Sequence, residues 1–272
     1  MPALIELYRN ALQKTWQSVV RGWITIVAVI GFTFLLNLAQ QLVAPLGIAG
    51  GFILGAVNAL LVGATLSLVE QSIRYGRMLK PRDVMESFGH YFWDVIGVGF
   101  VLWIPLMALN MATQGHPNGL FLSSAVMLLL FILLNPAPEV IYQVRHDSPL
   151  DVLKSAYEFV VENWIEWFLP IGVLLLPMVA LPGGLTSFFL LSRRMGRGAG
   201  LDFSQIFTLP FTILDGWLNF FGLGSGTVGV FGFVLTPILA ICLLLFRGHL
   251  FAALSGTSRR QRQFAAKLRG ED

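Results

Sequence analysis

Charged residues are scarce in this sequence. Lysine, arginine, aspartate and glutamate make up 12% of its 272 residues, whereas hydrophobic residues make up 56% and the mean hydropathy is +0.73. Soluble domains contain about 25% charged residues. The composition therefore excludes an ordinary soluble domain and indicates an integral membrane protein, whose apolar surface faces lipid or neighbouring transmembrane helices.

Residues for disulfide and metal chemistry are also few. The one cysteine, Cys242, lies in an apolar run and cannot form an internal disulfide or a thiolate cluster. The four histidines are far apart, and none has a second histidine or a cysteine three or four residues away: His90, His116, His146 and His249. A metal site would have to be assembled by the fold alone, so we predict no metal and no cofactor.

Two short motifs spell parts of known active sites but lack the required context. The three residue types of a hydrolase triad stand consecutively at His146, Asp147 and Ser148. Consecutive residues do not give the geometry that such a triad requires. Gly224, Gly226 and Gly229 have the spacing of a dinucleotide-binding loop, yet no strand precedes them. We therefore predict that the protein is not an enzyme.

Six apolar runs are separated by polar or proline-containing segments. We predict transmembrane helices at about 23–42, 48–69, 95–113, 120–134, from 164 to between 181 and 192, and 228–246. In the second helix, Gly51 and Gly55 are predicted to allow close helix packing. The segment 193–227 contains Pro210 and Asp215, which disfavour an uninterrupted span, so we predict a re-entrant or interfacial insertion there.

Amphipathic segments precede apolar runs at 2–21, 81–93 and 139–167. In the third segment we predict Ser148 as the N-cap, Pro149 as the first helical residue and Asp151 in the first turn. An apolar stripe follows at helical spacing: Leu150, Leu153, Tyr157, Val160, Val161 and Trp164. The sequence thus predicts an all-α integral membrane protein with six transmembrane helices as three hairpins, each preceded by a cytoplasmic amphipathic interfacial helix.

A shift of 68 residues superimposes the second amphipathic segment on the third. Pro81 falls on Pro149, and Asp83 falls on Asp151, at the start of each predicted helix. The match predicts three pseudo-repeats in a single membrane domain, 1–272. The units are about 2–75, 76–143 and 144–250, with the irregular insertion at 193–227 and a basic tail at 251–272.

The run PEVIYQ…SPLDVLKSAYEFVVENW resembles an element of the multi-pass membrane domain associated with glycerophosphodiester phosphodiesterases and of related bacterial membrane proteins. The similarity covers about thirty residues plus the hairpin arrangement. It implies a bundle of six or so helices with cytoplasmic amphipathic helices. The soluble barrel that carries the phosphodiesterase activity has no space in this sequence, so the resemblance does not imply that activity.

Basic residues are unevenly distributed. If both termini are cytoplasmic, all but three of the 18 lysines and arginines fall on that side. This predicts a multi-pass protein of the cell membrane, in a bacterial inner membrane. The three exceptions, Arg193, Arg194 and Arg197, either mark a place where the chain folds back or bind an anion outside. In the tail, the candidate contacts for anionic lipid are Arg259, Arg260 and Arg262.

Polar side chains within apolar runs are unfavourable in lipid unless they are paired or hydrated. The candidates for intramembrane polar contacts are Asn37, Gln41, Asn58 and Asp215. Hydrogen bonds between helices account for them without a transport pathway, and a polar cavity is the alternative.

These features predict a non-enzymatic membrane subunit in the lipid bilayer that anchors or organises a protein partner or a homo-oligomer. The alternative is a transporter or lipid-handling protein with a cavity near the fifth span and the 193–227 segment. A third reading is an enzyme that binds phosphate through Arg193, Arg194 and Arg197, but no base or nucleophile accompanies them. No nucleic-acid partner is predicted.

Overall fold

The computed structural model describes residues 2–74, 78–114, 118–180 and 229–256. Within these ranges the chain forms nine α-helices and one short 3-10 turn, Ala44–Leu46, and no strand. The helices are α1 Pro2–Arg21, α2 Trp23–Val43, α3 Gly47–Arg74, α4 Pro81–Ser87, α5 Phe92–Thr113, α6 Gly119–Leu133, α7 Ala137–Gln143, α8 Pro149–Ala180 and α9 Gly229–Ser255.

Five helical stretches in this described part are long and apolar enough to cross a membrane, which makes this a multi-pass membrane protein by length and composition. They are Trp23–Leu46, Ala49–Arg74, Phe92–Thr113, Ala125–Gln143 and Pro237–Ser255. The further span predicted from residue 164 is helical as far as Ala180, and its end lies outside the described residues. The six-span, three-hairpin arrangement therefore stays a prediction.

Two of these stretches extend furthest beyond their predicted ends. The predicted span 120–134 continues through α7 to Gln143, because Pro138 occupies one of the first helical positions, where its missing N–H breaks no helical hydrogen bond. The last stretch runs from Pro237 to Ser255 rather than ending at residue 246, so Arg247 lies inside it. Each shift places a charged residue within an apolar stretch, and the two charges are paired.

The starts of α4 and α8 are fixed by local hydrogen bonds. In α8 the Ser148 hydroxyl accepts a hydrogen bond from the Asp151 backbone N–H over 3.2 Å and donates to the Asp151 carboxylate over 2.7 Å. In α4 the Lys80 backbone N–H donates to the Asp83 carboxylate over 2.7 Å. Asp83 and Asp151 thus occupy the same position at the start of two helices.

Three junctions share one backbone conformation, and each lies between an amphipathic stretch and an apolar one. Gly22 has φ −100° and ψ 27°, Tyr91 has φ −110° and ψ 17°, and Asn163, inside α8, has φ −126° and ψ 22°. An aromatic residue follows each junction: Trp23, Phe92 and Trp164. The same backbone conformation therefore separates an amphipathic stretch from the apolar helix after it at each of these places.

Helix α3 lies at the centre of the described bundle and packs against α1, α2, α4, α5, α7 and α9. Helix α9 packs against α1, α2, α3, α7 and α8. Their buried side chains form one continuous apolar core, including Leu68, Val69, Ile241 and Leu245.

The close packing leaves little space at Gly248, where an added Cβ would contact Ile73 and lie 2.5 Å from the Tyr142 hydroxyl. In contrast, nothing lies within 4 Å of a Cβ added at Gly51 or Gly55, so their predicted packing role is wrong among the described residues.

These two environments predict opposite effects of adding one methyl group. We expect Gly248→Ala to lower the melting temperature of the detergent-solubilised protein by several degrees, because overpacking a core costs about 1–3 kcal/mol. The matched control, Gly55→Ala in α3, should leave the melting temperature unchanged or raise it, since alanine is the better helix former. Differential scanning fluorimetry measures both, and equal melting temperatures for the two variants would contradict the packing at Gly248.

Candidate functional site

The predicted intramembrane polar residues do not form a cluster in the described part of the chain. Asn37 and Gln41 are exposed on α2, and the Asn37 amide donates to the Thr33 carbonyl of its own helix over 2.8 Å. Asn58 is partly buried on α3. No hydrogen bond joins these three residues to one another within the described ranges. Asp215 and the two arginine groups lie outside those ranges: Arg193, Arg194, Arg197, Arg259, Arg260 and Arg262.

The structure instead brings together four residues that sequence reasoning did not combine, here called the Arg247 cluster: Asn135, Glu139, Trp167 and Arg247. The Arg247 Nη2 atom donates to Glu139 Oε2 over 2.9 Å and to the Asn135 carbonyl over 2.7 Å. The Arg247 Nε atom lies 2.9 Å from Glu139 Oε1. The Trp167 indole N–H donates to Asn135 Oδ1 over 2.9 Å, and its ring centre lies 5.0 Å from the guanidinium carbon.

This cluster is shielded from solvent. Glu139 is 0% and Arg247 4% exposed, and both belong to stretches apolar enough to cross a membrane. A charge in such a position is tolerated when it is paired. Neither of the two surface grooves described below includes a residue of the cluster. The arrangement therefore ties α7, α8 and α9 together.

Sequence reasoning missed this pair because it treated each charge as a boundary marker. By sequence, Glu139 begins the amphipathic stretch 139–167, and Arg247 directly follows the predicted last span, which ends at residue 246. A signal was present, because each is the only charged residue in its own apolar run, with opposite signs. Which runs lie side by side is a tertiary property, so the sequence did not identify the partners.

A second network ties α1 to the bundle. The Ser18 hydroxyl lies 2.9 Å from His249 Nε2 and donates to the Ser72 carbonyl over 3.2 Å. The Tyr8 hydroxyl donates to the Glu166 carbonyl of α8 over 2.8 Å. Partial burial, together with the Glu166 carboxylate, raises the pKa of Tyr8 to about 12, so this hydroxyl keeps its proton at physiological pH. Helix α1 is thus held by α3, α8 and α9.

A third network links the ends of α3, α5 and α7. The Arg74 guanidinium pairs with Glu70 over 2.8 Å and donates to the Tyr142 carbonyl over 3.0 Å. The Tyr91 hydroxyl donates to the Glu70 carboxylate. Burial of Tyr91, with the Glu70 carboxylate as its acceptor, raises the tyrosine pKa well above its usual value. Close by, His146 Nε2 lies 3.2 Å from the Asp94 carboxylate. One end of the bundle is consequently a rigid polar frame.

A groove of about 410 Å³ lies between α8 and the end of α9, here called the α8–α9 groove. Its apolar lining comes from Phe159, Phe251 and Leu254, and Glu158 and Glu162 supply carboxylates. Glu158 is loosely paired with Lys154, at 3.9 Å. Phe159, Phe251 and Leu254 are buried, whereas both carboxylates are exposed and suit a cationic side chain. A second, shallower groove of about 580 Å³ lies on α1.

Among the described residues no group of three or more histidines, cysteines or carboxylates is placed to hold a metal ion. No known protein family, curated protein or solved structure matches this chain. The resemblance to the membrane domain associated with glycerophosphodiester phosphodiesterases therefore stays a prediction.

The Arg247 cluster makes a prediction about stability. Glu139→Leu or Arg247→Leu alone should each cost about 3–5 kcal/mol, because the remaining charge is buried without its partner. The double variant should be less destabilised than either single variant, since it leaves no unpaired charge. The free energy of unfolding of each variant, obtained by titration with sodium dodecyl sulfate in mixed micelles, gives the coupling between the two charges in this double-mutant cycle.

The control for this cycle is the exposed pair Arg82 and Glu86, whose side chains meet at 2.7 Å on α4. The same leucine substitutions there should show a coupling of about 0.5 kcal/mol. If the losses at Glu139 and Arg247 simply add in the double variant, the two charges do not stabilise each other.

Proposed function

We propose that this protein is a non-enzymatic membrane subunit that holds a protein partner at its cytoplasmic face. The α8–α9 groove is the observation that supports this proposal most directly. Two exposed carboxylates, Glu158 and Glu162, border the groove, and the buried rings of Phe159 and Phe251 form its floor. The groove suits a basic partner segment, whose lysine or arginine side chains would pair with Glu158 and Glu162.

The faces of α8 indicate which surface such a partner reaches. Between Pro149 and Trp164 the helix has three sectors. One is buried against the bundle: Val152, Ala156, Phe159 and Val160. The next is exposed and apolar: Leu150, Tyr157, Val161 and Trp164. The third is exposed and polar: Asp151, Lys154, Glu158 and Glu162. An apolar sector beside a polar one is typical of a helix at the membrane surface, so the polar sector, which borders the groove, faces water.

The polar networks support the proposal because they make this surface rigid. Helix α8 is held through Trp167 in the Arg247 cluster and through the contact of Tyr8 with Glu166. A preorganised surface loses little conformational entropy when a partner binds. Anchoring a partner requires such a surface and does not require a reactive group.

The cytoplasmic orientation rests on charge. At the end of the bundle where α3 and α7 end and α8 begins, the described basic residues are Arg74, Lys80, Arg82, Arg145 and Lys154. Positive residues concentrate on the cytoplasmic side of membrane proteins, here taken to be a bacterial inner membrane. The alternative is a transporter with a cavity near the fifth span and the 193–227 segment, and that segment lies outside the described residues. Neither of the two described grooves includes Asn58.

The test combines crosslinking with a charge reversal. A photoreactive benzoylphenylalanine at Ser155, which lines the groove, should crosslink a second protein in cells. Glu162→Lys should reduce the recovery of that protein in mild detergent by at least tenfold, because it places a like charge against a basic segment. The matched control, Glu86→Lys, reverses an exposed glutamate on α4 and should leave recovery unchanged.

Two outcomes would contradict the proposal. Equal recovery with both variants would show that the groove does not hold the partner. A crosslink confined to this chain's own basic residues 257–272, which follow directly after Gly256 at the edge of the groove, would show that the protein itself occupies it.

A further inference from the structure

The outer surface of α1 carries an apolar stripe that no described part of the protein covers. Its large side chains are exposed by more than half: Ile5, Leu12, Trp16 and Val20. The opposite face is buried against the bundle through Ala11, Thr15 and Ser18. Because α1 is already held on its inner face, the stripe is a surface for something outside the described fold.

The stripe continues into a surface that faces lipid. Only Gly22 separates α1 from α2, which belongs to a stretch apolar enough to cross a membrane. Val20, before the break at Gly22, and Trp23 and Val27, after it, are all exposed by more than half. An apolar surface continuous with that of a transmembrane helix is occupied by lipid.

The groove on α1 adds a cation to this apolar surface. It is lined by Ile5, Tyr8, Arg9, Leu12, Gln13 and Trp16. Arg9 is exposed and has no ion pair within the described ranges. Gln13 lies one helical turn further on, so its amide and the guanidinium border the same groove. The Tyr8 ring is fixed by its hydroxyl, which donates to the Glu166 carbonyl.

We propose that the α1 groove binds an anionic phospholipid, with Arg9 and Gln13 on the phosphate and an acyl chain along Leu12 and Trp16. A guanidinium next to an apolar surface matches the boundary between the phosphodiester and the acyl chains. The net charge of the helix favours an anionic lipid over a zwitterionic one, because Arg9, Lys14 and Arg21 outnumber Glu6. The lipid then holds α1 against the bundle from outside, as Ser18 does from inside.

Native mass spectrometry of the detergent-solubilised protein, titrated with phosphatidylglycerol or phosphatidylcholine, tests this site. The wild-type protein should bind at least one phosphatidylglycerol molecule in preference to phosphatidylcholine. Arg9→Gln should weaken that binding at least tenfold. The matched control, Lys14→Gln, removes the same charge from the same helix outside the groove and should weaken binding less than threefold.

Two further measurements keep the result interpretable. Arg9→Gln and Lys14→Gln should both melt at the wild-type temperature without added lipid, because Arg9 and Lys14 are exposed. Leu12→Gln is a second test of the site, since it removes the apolar wall of the groove and leaves Arg9 in place. Leu12→Gln should also weaken phosphatidylglycerol binding.

Three results would overturn the proposal. These are equal losses for Arg9→Gln and Lys14→Gln, unchanged binding in Leu12→Gln, and displacement of the lipid by millimolar inorganic phosphate, which would make the site one for free phosphate. None of them affects the proposed partner site, since the α8–α9 groove shares no residue with the α1 groove.

Discussion

The pairing of two buried charges is the constraint on which the arrangement of the last three described helices depends. Glu139 and Arg247 each lie in a stretch apolar enough to cross a membrane, where an unpaired charge is strongly destabilising. They can be tolerated together only if α7 and α9 keep one relative position. Asn135 and Trp167 extend the same contact to α8 and to the turn before α7.

The three amphipathic stretches join the apolar helices of the bundle through the same backbone conformation. At Gly22, Tyr91 and Asn163 the backbone turns in nearly the same way, and an aromatic residue opens the apolar helix that follows. Hydrogen bonds from Tyr8 and Ser18 then hold α1 against the bundle. The result is a hydrogen-bonded end of the protein with outward-facing grooves, on which the proposed roles in binding a partner and a lipid rest.

The exposed surface of these helices combines two kinds of chemistry. On α8, Tyr157 and Trp164 form part of an exposed apolar sector, while Glu158 and Glu162 lie on the polar sector beside the α8–α9 groove. On α1, Leu12 and Trp16 lie next to Arg9. This juxtaposition allows one helix to meet lipid on one side and water on the other. The two proposed sites follow from it, one on the polar side of α8 and one at the apolar edge of α1.

The sequence by itself determined the local features. Hydropathy located the five stretches that are apolar enough to cross a membrane, although two of them end later than predicted. Residue types at helix starts identified Pro149 as the beginning of α8, because capping and helix periodicity depend on neighbours in the chain. The sequence could not divide the apolar stripe of α8 into Val160, which is buried, and Val161, which is exposed. Protein interior and lipid both select apolar residues, so only the packing of helices separated the two, and only that packing placed Arg247 beside Glu139.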